Sequence, residues 1–122
     1  MSEQTTSEGV DIDPGRLAGM LDAGEAQLVD VRQQSEWDAG RIAGAVHIPL
    51  ETLPAAAAQI DRDRPVVFSC RVGSRSAMAT AAFRESGFEA YSLAGGIEAW
   101  VASGRPIEPD GGSVVAPTPD AS

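Results

Sequence analysis

Pro65-Val66-Val67-Phe68-Ser69-Cys70-Arg71-Val72-Gly73-Ser74-Arg75-Ser76 is the stretch from which the rest of the chain is read. Its first five residues form an apolar run, with Val66, Val67 and Phe68 β-branched or aromatic after a bounding proline, and predict a buried strand. The alanine-rich segment that follows, Ser76 to Ser86, predicts a helix. The only cysteine of the chain therefore lies at a strand-to-helix turn, between a strand and two arginines. A turn of that kind aims backbone N–H groups and the positive end of a helix dipole at one spot. A thiolate is stabilised there relative to the thiol. Arg71 and Arg75 add positive charge, and Gly73 lets the backbone curl where a Cβ would obstruct it. The loop thus reads as a nucleophile, Cys70, with an anion cradle formed by Arg71, Val72, Gly73, Ser74 and Arg75. The competing reading is a small buried hydrophobe, the commoner fate of a lone cysteine after an apolar strand. The paired arginines and the turn favour the reactive one.

Outward from this loop, apolar strands alternate with helical segments. Val10 to Ile12 predicts a short edge strand. Asp13-Pro14 starts a helix as N-cap and first-turn proline, with Leu17, Met20 and Leu21 on one face and Gly24 as its stop. Gln27 to Arg32 predicts a second strand, apolar on both faces at Leu28, Val29 and Val31. Asp30 and Arg32 fall near its C-terminal end, where open α/β sheets bind ligands. The plainer reading is that they pair and organise the adjacent loop. Ser35 with Asp38 has the spacing of a helix cap. Trp37 is expected to pack. Ala45 to Ile48 predicts a third strand, stopped by Pro49. Leu50, Leu53, Ala57 and Ile60 fit a helical face, with Pro54 tolerable only near its start. Asp61 to Arg64 is a charged turn. After the cysteine loop, Ala77, Met78, Ala81, Ala82 and Phe83 are expected to form a small-residue packing face. Glu89 to Leu93 predicts the last strand. Ala94-Gly95-Gly96 forms a tight turn, and Ile97, Trp100 and Val101 a final helical face.

This alternation implies an α/β fold: a central, mostly parallel five-stranded sheet flanked by helices on both faces. The strand before Cys70 is the most apolar and is expected at its centre. The chain's 122 residues allow one domain. It is expected to span residues 10–107, between a flexible N-terminus (1–9) and a disordered tail (108–122) rich in Pro, Gly, Asp, Ser and Thr.

Composition narrows the function. The net charge is -9, with a pI near 4.4, and no basic stripe exists to neutralise phosphates. Nucleic acid and anionic membranes are thereby disfavoured as partners, and a basic protein partner is favoured. One cysteine and one histidine offer no metal cluster and no internal disulfide. His47 has no neighbour spaced to recruit it. No glycine-rich loop followed by Lys and Ser/Thr is present, so no nucleotide-type phosphate site is indicated. No apolar run is long enough for a membrane span, and the N-terminus lacks the pattern of a secretory leader. A cytoplasmic setting is expected.

Three stretches together resemble the single-domain rhodaneses, a family of sulfurtransferases. Leu28-Val29-Asp30-Val31-Arg32, followed by Glu36-Trp37 and Gly40 to Pro49, is similar to the family's N-terminal signature. Cys70 to Ser76 is similar to its active-site loop, and Leu93 to Trp100 to its C-terminal signature. They occur in the family's order across residues 10–107. Arg41, His47 and Ile97 depart from common family residues at positions that read as structural. The resemblance implies a rhodanese-like fold and a thiosulfate sulfurtransferase-type enzyme without cofactor or metal. It implies that Cys70 takes the outer sulfur of a small anionic donor such as thiosulfate, carries it as a persulfide, and passes it to cyanide or to a thiol or protein acceptor. Arg71 to Arg75 would bind the donor, while Asp30, Arg32 and Ser76 would support the site. Two alternatives stand beside this. One is a phosphatase or arsenate reductase, whose related cysteine loop is one residue longer than the four residues between Cys70 and Arg75 here. The other is a regulatory or persulfide-carrier module serving one partner.

Overall fold

The computed structural model describes residues 10–118; the expected flexible N-terminus and the last four residues of the chain lie outside the described part. Five strands form one sheet: β1 (Asp11–Ile12), β2 (Gln27–Asp30), β3 (Val46–His47), β4 (Val66–Ser69) and β5 (Ala90–Leu93), in the order β1-β5-β4-β2-β3. All four pairings are parallel. β4 is central and β1 an edge strand, as their composition predicts. The helices are α1 (Pro14–Asp22), α2 (Gln34–Ala39), α3 (Leu53–Ala56), α4 (Ser74–Glu85) and α5 (Gly96–Ala102).

The alternation of side chains along each strand divides the core in two. Val66, Phe68 and Cys70 point to the face covered by α3 and α4, joined there by Val29, Val31, Ala79 and Phe83. Val67 and Leu28 point to the opposite face, with Leu17, Met20, Leu93, Ile97 and Trp100 from α1, β5 and α5. Strands buried on both faces explain why their sequences are continuously apolar. Cys70 continues the period-two register of β4, so its side chain enters the sheet face that α4 covers.

Local chemistry sets the element ends. Asp13 caps α1, its Oδ1 accepting from Arg16 N–H at 2.7 Å. α2 begins at Gln34, with Ser35 inside it; Glu36 reaches back to accept from Gln33 N–H at 3.0 Å, displacing the expected Ser35–Asp38 cap. α4 starts two residues earlier than its alanines predict, after Gly73 at φ +112°. Its buried residues are Ser76, Ala79, Thr80 and Phe83. Of the expected packing face only Phe83 is buried; Ala77, Met78, Ala81 and Ala82 are exposed. The helix is turned because Ser76 and Thr80 satisfy their hydroxyls internally. Ser76 meets Ser92 Oγ at 2.8 Å, and Thr80 donates to Ser76 O at 2.8 Å.

Pro54 leaves the segment after β3 as a short α-turn flanked by 3-10 turns rather than one helix. Residues 108–118, the described part of the expected tail, lie against the domain. Arg41 and Glu108 exchange backbone hydrogen bonds (2.9 and 2.8 Å), and Ser113 N–H donates to Ala39 O at 2.8 Å. No helix among the described residues is long and apolar enough to cross a membrane.

Candidate active site

The loop from Cys70 to Ser76 leaves the C-terminal end of the central strand, the edge of an open parallel sheet at which ligands bind. Cys70 is fully buried. Its Sγ receives the backbone N–H of Gly73 at 3.0 Å and of Ser76 at 3.4 Å, and lies 3.6 Å from Ser76 Oγ. The donors to the sulfur are thus these two N–H groups rather than the whole run from residue 71 to 75. They converge because Gly73 adopts a left-handed φ, which turns the chain under the sulfur before α4 starts. The first turn of α4 then directs its dipole at the same atom. Ser76 brings its amide to the sulfur, and its hydroxyl donates to Gly73 O at 3.1 Å.

Each arginine near the loop is matched by a carboxylate. Arg32 is fully buried and holds Asp30 through Nε (2.9 and 3.0 Å) and Nη2 (2.8 Å). Its Nη2 also donates to Gly40 O at 2.7 Å, tying the end of β2 to the end of α2. Asp30 stands beside Ser69 in register, so the pair braces the strand end next to the cysteine. Its role is the loop-organising one that its spacing allowed, and Arg32 Nη1 is buried without a partner among the described residues.

Arg75 makes a two-pronged pair with Glu36, Nη1 to Oε1 at 2.7 Å and Nη2 to Oε2 at 2.9 Å. Burial would push the Glu36 carboxyl up. The Arg75 hydrogen bonds, the Gln33 N–H and the charges of Arg75 and Arg32 outweigh burial and hold it below the usual carboxylate range. The same pairing holds the Arg75 guanidinium above its usual range. Arg75 therefore anchors α4 to α2 and is not a free anion ligand.

Arg71 pairs with Glu98 at 2.6 Å, with both side chains partly open to solvent (30% and 48%). Val72, at the tip of the loop, is 44% exposed. Ser74 opens α4 and is exposed. His47 donates to Arg32 O through Nε2 at 2.8 Å and stacks on Trp37, a packing role.

Beneath the loop lies the start of α5. Ile97 N–H donates to Cys70 O at 2.9 Å and Glu98 N–H to Arg71 O at 3.1 Å. The first turn of α5, entered through Gly95, thus presents the N–H groups of Ile97 and Glu98 to the loop backbone. A Cβ on Gly96 would collide with the carbonyls of Cys70 and Arg71. Glu36, Glu98 and Ser92 are site residues that the sequence does not single out. Glu36 is read there only as part of a helix start and of the N-terminal signature, and Glu98 only as part of the C-terminal signature. Among the described residues no group of three or more His, Cys, Asp and Glu side chains is arranged to hold a metal ion.

A family model described as a rhodanese-like domain matches residues 13–103. A probable adenylyltransferase/sulfurtransferase, MoeZ, of Mycobacterium tuberculosis is 39% identical over 85% of this chain, which spans only 27% of that relative's length. The thiosulfate sulfurtransferase GlpE of Glaesserella parasuis is 36% identical over 87% of this chain and 96% of its own. Among solved structures, a rhodanese-related protein of Thermoplasma volcanium superposes with a TM-score of 0.76 at 27% identity, covering 81% of this chain and 97% of its own.

Proposed function

The chain belongs to the rhodanese-like domain family, and on that ground we propose that it is a sulfurtransferase acting through a persulfide on Cys70. Sulfurtransferase chemistry in general is supported by the relatives bearing that name. The thiosulfate donor, the persulfide and the acceptor are the finer part of the proposal.

The observation that carries it is the convergence of the Gly73 and Ser76 N–H groups on Cys70 Sγ at the start of α4. These donors are aimed at the atom on which negative charge rests before and after transfer. The Cys70 thiolate attacks the outer sulfur of thiosulfate. The S–S bond of the donor breaks, sulfite leaves with the electron pair, and Cys70 holds a persulfide anion. Cyanide, or a thiolate, then attacks the outer sulfur of that persulfide. The second S–S bond breaks, thiocyanate or a new persulfide departs, and the Cys70 thiolate returns. A covalent carrier divides one transfer into two displacements. No side chain has to act as a general base in either displacement, in keeping with a site whose basic groups are ion-paired arginines.

The short span between Cys70 and Arg75 favours a cradle for one sulfur anion over a tetrahedral oxyanion. A thiol on a small molecule or on a basic protein is the acceptor we propose for an acidic molecule in a reducing cytoplasm.

The test is thiocyanate formation from thiosulfate and cyanide by wild-type protein and Cys70→Ser. Turnover that disappears in the variant is expected. Cysteine-dependent hydrolysis of an aryl phosphate, with no thiocyanate, would replace the proposal by phosphatase chemistry.

A further inference from the structure

Three arginine–carboxylate pairs surround the cysteine loop: Arg32–Asp30, Arg75–Glu36 and Arg71–Glu98. They differ in what a ligand can disturb. Arg32–Asp30 has no exposed side-chain surface. Glu36 is wholly buried beneath Arg75. Only in Arg71–Glu98 are both partners open to solvent. An exposed ion pair is weak and easily exchanged, whereas a buried one is costly to break. Arg71 also keeps a buried Nε that has no acceptor among the described residues. It is thus the one loop guanidinium with both an exchangeable partner and an unused donor.

Glu98 is fixed to this arginine from two sides. Its N–H donates to Arg71 O at 3.1 Å, and its carboxylate takes Arg71 Nη1 at 2.6 Å. The first turn of α5 therefore holds a negative charge against the outermost positive charge of the loop. An incoming anion competes with Glu98 for Arg71 and is repelled by it while doing so.

We propose that Glu98 is a specificity-determining residue: it screens Arg71 and weakens capture of doubly charged donors relative to singly charged or neutral ones. The inference rests on the sulfur-transfer reading above. It selects, as the better-matched donor class, persulfides of small or protein thiols. With such a donor, Cys70 thiolate attacks the outer sulfur of R–S–SH, the S–S bond breaks, and R–S⁻ leaves with the electron pair. Cys70 is left with the sulfur and its proton. The step moves one less negative charge into the loop than thiosulfate does.

The test uses the full chain and Glu98→Gln, which keeps the side chain's size and removes its charge. Initial rates with thiosulfate and with cysteine persulfide, whose net charge does not exceed one negative, are compared at low salt. The variant is expected to raise kcat/KM for thiosulfate about three- to tenfold, mainly through a lower KM, and to change kcat/KM for the persulfide much less. The preference should shrink at high salt, where charges are screened. Equal changes with both donors, or none, would overturn the proposal. A second readout does not depend on sulfur transfer: alkylation of Cys70 by iodoacetate relative to neutral iodoacetamide. Glu98→Gln should raise that ratio and Arg71→Gln should lower it. An unmoved ratio overturns the role of Glu98 even if turnover is robust. A shifted ratio without turnover on either donor leaves the charge effect standing and removes the sulfurtransferase reading.

Discussion

Arg75 and Arg71 look alike in the sequence, each a cation of the cysteine loop, but different carboxylates give them different work. Glu36 is wholly buried and meets Arg75 with both oxygens. Since its folded titration lies below the ordinary range, the pair stabilises the fold fully above the unfolded value of about pH 4.3. That stabilisation is lost as the pH falls below this value, toward the lowered folded one. Glu36→Gln should therefore cost about 1.5–3 kcal/mol at neutral pH. In urea unfolding followed across pH, the gap between wild type and variant should close on acidification; a constant gap would assign the loss to packing. Glu36 is invisible as a site residue in the sequence because 39 positions separate it from Arg75. Only the docking of α2 beside the loop brings them together. Asp30 and Arg32 were legible, since a two-residue separation at a strand end leaves them little choice but each other.

At the scale of elements, two helix starts hold the loop. α4 begins at Ser74 after Gly73, and α5 begins at Gly96 after Gly95. The first supplies N–H groups to the sulfur, the second to the carbonyls of Cys70 and Arg71. Gly96 has φ +65°, and its missing side chain is the space in which the loop backbone sits. Gly96→Ala is expected to displace the loop and lower turnover more than about tenfold, while circular dichroism still reports the α/β fold. Near-normal turnover would mean that the loop holds its shape without α5. The glycine pair reads in the sequence as a tight turn, which does not say what packs against it. α4 was misread for a different reason. Its alanines suit both a packed and an open face, and its buried stripe contains Ser76 and Thr80, whose polarity disguises it. Their hydroxyls are satisfied by Ser92 and by the helix itself, which permits their burial.

For the whole molecule, the five-stranded parallel sheet and the central place of β4 followed from alternation and from continuous apolar runs, because a parallel sheet buried on both faces leaves that pattern, whereas the order of the strands came only with the structure. Residues 108–118 left no such pattern. They are held by backbone contacts that any sequence can make, such as Ser113 N–H to Ala39 O, and by Gly40, where a Cβ would strike Ser113. Thr118 then reaches Gln33, whose N–H donates to Glu36, so the far end of the described chain is joined to the frame of the site. Fold, frame and loop thus serve one buried sulfur atom, and the central claim is that this atom carries another. The most direct measurement is the intact mass of the protein after thiosulfate treatment without an acceptor, and again after cyanide. A gain of one sulfur on wild type, absent in Cys70→Ser and discharged by cyanide, is the expected result. An unchanged mass, or a sulfur retained when Cys70 is replaced, would contradict it.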